Sequence, residues 1–105
     1  MRVTYSPRAI AQLASIFSYI AKDDRTAAAG VVDRVEASIS LLGEQPEMGR
    51  RTSREGVYLM VVETYYNVFY RVLATRNEVR ILRVRDGRRQ PLGWERSGGG
   101  EGTKT

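Results

Sequence analysis

The sequence has neither cysteine nor histidine among its 105 residues. Without cysteine the chain can form no disulfide and no thiolate metal site, which fits the reducing conditions of a cytoplasm. Without histidine it lacks the commonest metal ligand and the side chain best suited to acid–base catalysis near neutral pH. These absences disfavour a transition-metal enzyme, and we expect no metal and no cofactor.

Long apolar runs are missing as well. No segment approaches the roughly 20 apolar residues that a membrane-spanning helix requires, and the opening "MRVTYS" lacks the apolar core of a signal peptide. We therefore expect a cytoplasmic protein that makes no contact with a membrane. The length allows one domain with a modest core, and the hydrophobic fraction of 42% fits a folded globular protein.

Positive charge is plentiful and unevenly placed. Lysine and arginine number 17 against 12 aspartates and glutamates, and 12 of the 17 lie from Arg50 onward, almost all of them arginine. This asymmetry favours an acidic or polyanionic partner for the second half of the chain. An arginine-rich genome would produce the same composition without such a partner.

The first half of the chain predicts a strand followed by two helices. Residues 1–5 alternate as a short strand, and Ser6 with Pro7 forms a typical helix start. Asp23 or Asp24 caps a second helix, which Gly43 ends. The apolar stripes of the two helices are Ile10, Leu13, Ile16, Phe17 and Ile20, and then Ala28, Val31, Val32, Val35, Ile39 and Leu42. A short polar turn between them predicts an antiparallel helical hairpin.

The second half predicts a loop, "EQPEMGRRTSREG", and then three strands. The strands are "VYLMVVE", "YYNVFYRVL" and the run that begins "VRILRVRD", joined by short turns into an antiparallel meander. The whole order is β-α-α-β-β-β, an α+β fold whose helical hairpin covers the meander. We expect residues 1–91 to form the domain and the Gly-rich residues 92–105 to be a flexible tail.

Neither face of the last strand is cleanly apolar. We place Leu82 and Val84 beneath the helices, which puts Arg83 and Arg85 on the open face of the sheet beside Arg71. A β-bulge in this strand would change the assignment.

The order and spacing of four segments resemble the RelE/ParE superfamily of bacterial type II toxins, and its ParE branch more closely. They are "YSPRAIAQLASIFSYIA", "PEMGR", "NVFYRV" and "VRILRVRDGRRQP", and together they span roughly residues 1–91. The resemblance implies a toxin that inhibits DNA gyrase and takes part in plasmid stabilisation. It also implies a hetero-oligomer with a ParD-like antitoxin, which is encoded beside the toxin and neutralises it.

RelE-like relatives are ribosome-dependent mRNA endonucleases, and the shared fold cannot exclude that activity. Cleavage at a 2′-hydroxyl needs a base, an acid and charge stabilisation. The last strand offers only arginine for these tasks, and Asp86 stands where many relatives have histidine. We therefore assign no catalytic residue and keep the endonuclease as the alternative. An inert relative that has kept antitoxin binding fits the missing residues equally well.

The arginine cluster at the end of the last strand is the first candidate for partner contact. Guanidinium groups suit carboxylates and phosphates, so the cluster predicts an anion-binding edge for antitoxin or target. Its members are Arg83, Arg85, Arg88 and Arg89. A solvated strand end, with Arg83 paired to a sheet neighbour such as Glu63, is the competing interpretation.

Aromatic residues supply the other candidates. Tyr65 and Phe69, together with Arg71, fall on the half-apolar face of the middle strand and would suit an antitoxin chain if that face is uncovered. Ordinary core packing is the alternative for both aromatics. Tyr19 lies just off the first helical stripe, where it contacts either an antitoxin helix or a loop of its own chain.

Overall fold

A computed structural model describes residues 1–88 of the chain, and it confirms the predicted α+β order. The elements are β1 (Arg2–Tyr5), α1 (Pro7–Ala21), α2 (Arg25–Ser40), β2 (Arg50–Arg51), β3 (Val57–Val62), β4 (Tyr66–Leu73) and β5 (Glu78–Asp86). Short 3₁₀ turns follow α2 at Leu41–Gly43 and β4 at Ala74–Arg76. The predicted tail, residues 92–105, lies outside the described residues.

The strands form one sheet in the order β1-β5-β4-β3-β2. β1 runs parallel to β5, and the other neighbours are antiparallel. The pairing of β1 with the last strand places Arg2 opposite Glu78, so the start of the chain lies beside the start of β5. β2 is a strand of two residues within the segment that the sequence predicts as loop, and it pairs with Tyr58 and Leu59 of β3.

Both helices begin where the sequence predicts. The Ser6 hydroxyl accepts a hydrogen bond from the Ala9 N–H at 3.0 Å, and an Asp24 carboxylate oxygen accepts one from the Ala27 N–H at 2.9 Å. Each cap stabilises its helix by about 1 kcal/mol. Neither α1 nor α2 is long and apolar enough to cross a membrane.

The main core lies between the helical hairpin and the sheet. It contains the buried residues Ala9, Leu13, Ile16, Val35, Ile39, Leu42, Met60, Val62, Tyr66, Val68, Tyr70, Val79, Ile81 and Val84. Ile10 does not belong to it and is 58% exposed, so its place in the predicted stripe is wrong. The small side chain of Ala9 faces the sheet instead, which turns Ile10 toward the outside of the hairpin.

A register shift between Phe69 and Tyr70 decides which side chains of β5 face the helices. Phe69 pairs with Arg83 and Tyr70 with Ile81, so Leu82 is an extra residue in β5. Ile81 and Val84 therefore enter the main core, which confirms the prediction for Val84. The prediction for Leu82 is wrong, because the bulge turns this side chain to the opposite face.

Side chains of Ser6, which caps α1, and of Gln12 within α1 form hydrogen bonds with the backbone of β5 beyond the end of β1. The Ser6 hydroxyl donates to the Leu82 carbonyl at 2.9 Å, and the Val84 N–H donates to the Gln12 side-chain oxygen at 2.7 Å. These bonds fix the helical hairpin to the sheet beside the bulge and close that stretch of strand edge.

Candidate functional site

Four arginines of β4 and β5 lie on the face of the sheet that the helices leave open. We call this group the arginine face; its members are Arg71, Arg80, Arg83 and Arg85. Arg71 pairs opposite Arg80, Phe69 opposite Arg83, and Asn67 opposite Arg85. The bulge keeps Arg80 on the same face as Arg83 and Arg85, and all four arginines are half-buried. The structure thus brings together Arg71, Arg83 and Arg85, as strand alternation indicates, and adds Arg80.

A small apolar cluster forms the floor of the arginine face. Val57, Leu59 and Phe69 are buried there, and Leu82 packs against them from β5. Phe69 is only 1% exposed, so its ring is packed within this cluster and offers little surface for contact with a partner. The aliphatic parts of arginine side chains can cover such a floor while their guanidinium groups reach solvent.

Arg71 is held by the loop that enters β3. Its Nη1 donates to the Glu55 carbonyl at 3.3 Å, and a Cβ atom at Gly56 would come within 2.7 Å of the same nitrogen. Gly56 also has a φ of +78°, a backbone conformation that favours glycine. This loop therefore needs glycine both for its turn and for the approach of the arginine.

Arg88 forms a compact cluster with two neighbours at the end of β5. Its Nε donates to Asp86 Oδ1 at 3.1 Å, and its terminal nitrogen donates to Oδ2 at 3.0 Å. The guanidinium carbon lies 3.6 Å from the centre of the Tyr65 ring, a cation–π contact. The Gly87 N–H donates to the Tyr65 carbonyl at 2.9 Å. These contacts connect the end of β5 to the β3–β4 turn.

The groups around this cluster keep their ordinary charge states at neutral pH and do not readily give up or take a proton. The hydrogen bonds to Asp86 raise the pKa of Arg88, so the guanidinium stays charged. Burial, and then the nearby Asp86 carboxylate, raise the pKa of Tyr66, whose hydroxyl stays protonated. Asp86 is buried, and each of its oxygens accepts a hydrogen bond from Arg88. Because both of its oxygens are engaged by Arg88, Asp86 is poorly placed to act as a general base.

The remaining candidates lie apart from the arginine face. Tyr19 is on α1, on the side of the sheet that the helices cover; it is 48% exposed, and the Lys22 ammonium lies 5.7 Å from its ring. Arg89 lies outside the described residues. Glu63, which the sequence offered as a partner for Arg83, instead accepts a hydrogen bond from Arg34 at 2.8 Å. Within residues 1–88 no three acidic side chains cluster as metal ligands would.

A second exposed surface is not predicted by any pattern in the sequence. Leu41, Met48 and Val61 are each about half exposed and line one groove beside β3. Val61 belongs to the apolar run "VYLMVV", in which nothing distinguishes an exposed valine from a buried one. Leu41 belongs to the 3₁₀ turn after α2 and Met48 to the loop that follows, and both line the groove with Val61 only in the folded chain.

The family of the chain follows from comparison with known proteins. A family model described as "ParE toxin of type II toxin-antitoxin system, parDE" matches residues 3–91. The chain belongs to the ParE toxin family. It is similar to a Sinorhizobium fredii protein described as "Putative toxin Y4kP", with 34% identity over 93 residues that cover 85% of this chain and 91% of the relative.

A solved structure shares the fold. The structure described as "Chromosomal ParDE TA system from P. aeruginosa" contains a chain that matches with a TM-score of 0.71 at 22% sequence identity. The match covers 82% of this chain and 95% of that one. The sheet and helical hairpin of this chain therefore share the fold of that chain.

Proposed function

We propose that this ParE-family toxin inhibits DNA gyrase in the bacterial cytoplasm and that a ParD-like antitoxin, encoded beside it, neutralises it in a hetero-oligomer. A role in plasmid stabilisation would follow from such a pair. The observation that carries the proposal is the arginine face, which lies on the open side of the sheet in a chain that matches the ParE family over residues 3–91.

Binding rather than catalysis is the mode of action that this surface supports. Guanidinium groups present planar forks of donors that match carboxylates and phosphates, and their charge does not change at physiological pH. The apolar floor lies on the same face of the sheet as these arginines, with Phe69 paired opposite Arg83. Both gyrase and an acidic antitoxin segment could supply the anionic groups that such a surface recognises.

The alternative, a ribosome-dependent mRNA endonuclease, would require a proton acceptor near the last strand. Asp86 is the candidate that the sequence offers, but its two oxygens already accept hydrogen bonds from Arg88. Using it as a base would break that cluster. This geometry favours the gyrase-binding toxin over the endonuclease.

Pulse labelling after induction in a bacterial host tests the proposal. We expect DNA synthesis to fall before RNA and protein synthesis, with filamentation and DNA-damage signalling, and co-expression of the adjacent gene should restore growth. Early arrest of protein synthesis with cleaved messages would instead establish the endonuclease. Soluble protein without any effect on growth would indicate an inert relative.

Two double variants test whether the growth arrest depends on the arginine face. Arg83→Gln with Arg85→Gln removes two charges from the arginine face and should abolish most of the growth arrest. Arg8→Gln with Arg25→Gln removes two exposed charges from the helices and should leave the arrest intact. Thermal melts of all purified proteins separate loss of binding from loss of folding. Equal toxicity in both double variants would remove the arginine face from the mechanism.

A further inference from the structure

The arginine face continues toward the β2 edge of the sheet. Residues that pair across neighbouring strands point to the same face, and one such row runs from Arg83 through Phe69 and Leu59 to Arg50. Arg50 therefore lies on the same side as Arg83, three strand spacings or about 14 Å away. We call Arg50 and the arginine face together the arginine band. It crosses four of the five strands.

Negative charge is scarce on this side of the sheet. Among the strand positions that face it within residues 1–88, the one carboxylate is Glu78, which is buried and accepts hydrogen bonds from Thr4 and Arg2. Asp86, the other acidic residue in the second half of β5, pairs with Tyr66, whose ring lies in the main core on the opposite face. The charges of the arginine band thus repel one another, and a polyanion would relieve that repulsion along the whole band.

The breadth of the sheet favours contact with a nucleic acid backbone over contact with its bases. Five strands spaced about 4.8 Å apart make a face about 19 Å wide. The major groove of B-DNA is about 12 Å wide and admits a helix or a two-stranded ribbon. The face is too broad to enter that groove, so its guanidinium groups would meet phosphate oxygens on the outside of the duplex. Binding of this kind does not depend on the base sequence.

Single-stranded nucleic acid fits this surface less well than a duplex does. Proteins that bind single strands stack the bases on exposed aromatic rings. Phe69, the aromatic residue in the middle of the arginine band, is only 1% exposed. The Tyr65 ring, in the β3–β4 turn, already contacts the Arg88 guanidinium, whose carbon lies 3.6 Å from the ring centre. Contact with the phosphates of a duplex requires no such aromatic platform.

We propose that the arginine band binds the phosphate backbone of duplex DNA without regard to base sequence. The inference rests on the proposed function for the source of the DNA, which is the duplex that gyrase holds. The toxin would then contact the enzyme and its DNA together. Part of the band is positioned in advance, because the Glu55 carbonyl accepts a hydrogen bond from Arg71. Such positioning lowers the conformational cost of binding.

Fluorescence anisotropy of a short labelled DNA duplex, measured across a range of salt concentrations, tests the inference. Each phosphate contact contributes a slope of about −0.9 to log K against log salt. Arg83→Gln with Arg85→Gln should therefore make the slope shallower by about 2 and weaken binding at least about tenfold at about 0.1 M salt. Arg50→Gln, a change at an exposed position, should make the slope shallower by about 1.

Arg8→Gln with Arg25→Gln is the matched control, because both double variants lower the net charge by two, from +5 to +3. It should keep the wild-type slope and an affinity within about twofold of the wild type. A second duplex of unrelated sequence should bind the wild-type chain equally well. Thermal melts verify that each variant folds.

Three results would overturn the inference. Equal losses in the two double variants would show that net charge alone attracts the DNA. Tighter binding to a single strand of the same length would identify single-stranded nucleic acid as the ligand, and tighter binding to polyglutamate would identify an acidic protein. A chain that inhibits gyrase without binding duplex DNA would overturn the inference and leave the proposed function intact. A chain that binds duplex DNA through the arginine band but leaves gyrase active would reject the proposed function alone.

Discussion

Thr64 is the residue whose backbone conformation is least suited to its side chain. In the β3–β4 turn Glu63 and Thr64 have φ angles of 50° and 76°, a region that β-branched residues rarely adopt. The turn keeps this conformation because the paired strands on both sides and the ion pair between Glu63 and Arg34 hold it. Backbone strain at this point costs roughly 1–2 kcal/mol.

Thr64→Gly should therefore stabilise the protein. Glycine adopts positive φ without strain, although its greater freedom in the unfolded chain offsets part of the gain. We expect a net gain of roughly 0.5–1 kcal/mol and a melting temperature higher by a few degrees. Thr75→Gly, at a position without positive φ, should lower the melting temperature. Parallel losses in both variants would show that the turn is not strained.

At the scale of elements, β1 and β5 are joined by a polar cluster around Glu78. The Glu78 side chain is buried at the start of β5, where it accepts a hydrogen bond from the Thr4 hydroxyl. Arg2 lies 3.4 Å from one carboxylate oxygen and Arg80 lies 3.9 Å from the other. The hydrogen bond from Thr4, followed by these positive charges, lowers the pKa of Glu78.

The lowered pKa makes this strand pair sensitive to acid. A carboxyl group whose pKa is lower in the folded protein stabilises the fold above its unfolded pKa, and that contribution disappears as the pH falls through the folded pKa. Thr4→Val removes the hydroxyl donor and should raise the pKa of Glu78 toward its ordinary value. Its thermal stability should fall at pH 7 and approach that of the wild type near pH 3.

Two measurements check the role of Glu78. NMR titration follows the carboxyl group directly, and thermal melts across the same pH range follow stability. Thr4→Ser keeps the donor and serves as the matched control. A loss of stability in Thr4→Val that is equally large at pH 3 and pH 7 would assign the effect to packing rather than to the carboxylate.

Local sequence patterns predicted where the helices begin and which side chains of β4 share a face. Ser6 and Asp24 start the helices, and alternation in β4 placed Arg71 on the open face. The bulge at Leu82 could not be predicted, because adjacent apolar residues fit either face until the register with β4 is known. The parallel position of β1 depends on pairing between distant segments, which no local pattern encodes.

The candidate site was predictable to a similar extent. Strand alternation brought Arg83 and Arg85 to the face of Arg71, but it could not reveal that Arg80 joins them after the bulge. The contacts of Arg88 with Asp86 and Tyr65 depend on a turn at the strand end. The groove beside β3 is assembled from three separate segments, so it has no signature in the sequence.

At the scale of the whole molecule, the two sides of the sheet differ in character. The helical hairpin covers one side over the main core, and the arginine face lies on the other side, on β4 and β5. The net charge of +5 would speed the encounter with an acidic partner, and added salt would weaken that attraction.

The most direct test of the central claim is a DNA supercoiling assay with purified gyrase and purified toxin. We predict that the wild-type chain inhibits supercoiling, that the product of the adjacent gene restores it, and that Arg83→Gln with Arg85→Gln inhibits far less. Gyrase that remains fully active at toxin concentrations well above those of the enzyme would contradict the account. Cleavage of mRNA on ribosomes by the same preparation would then identify the alternative target.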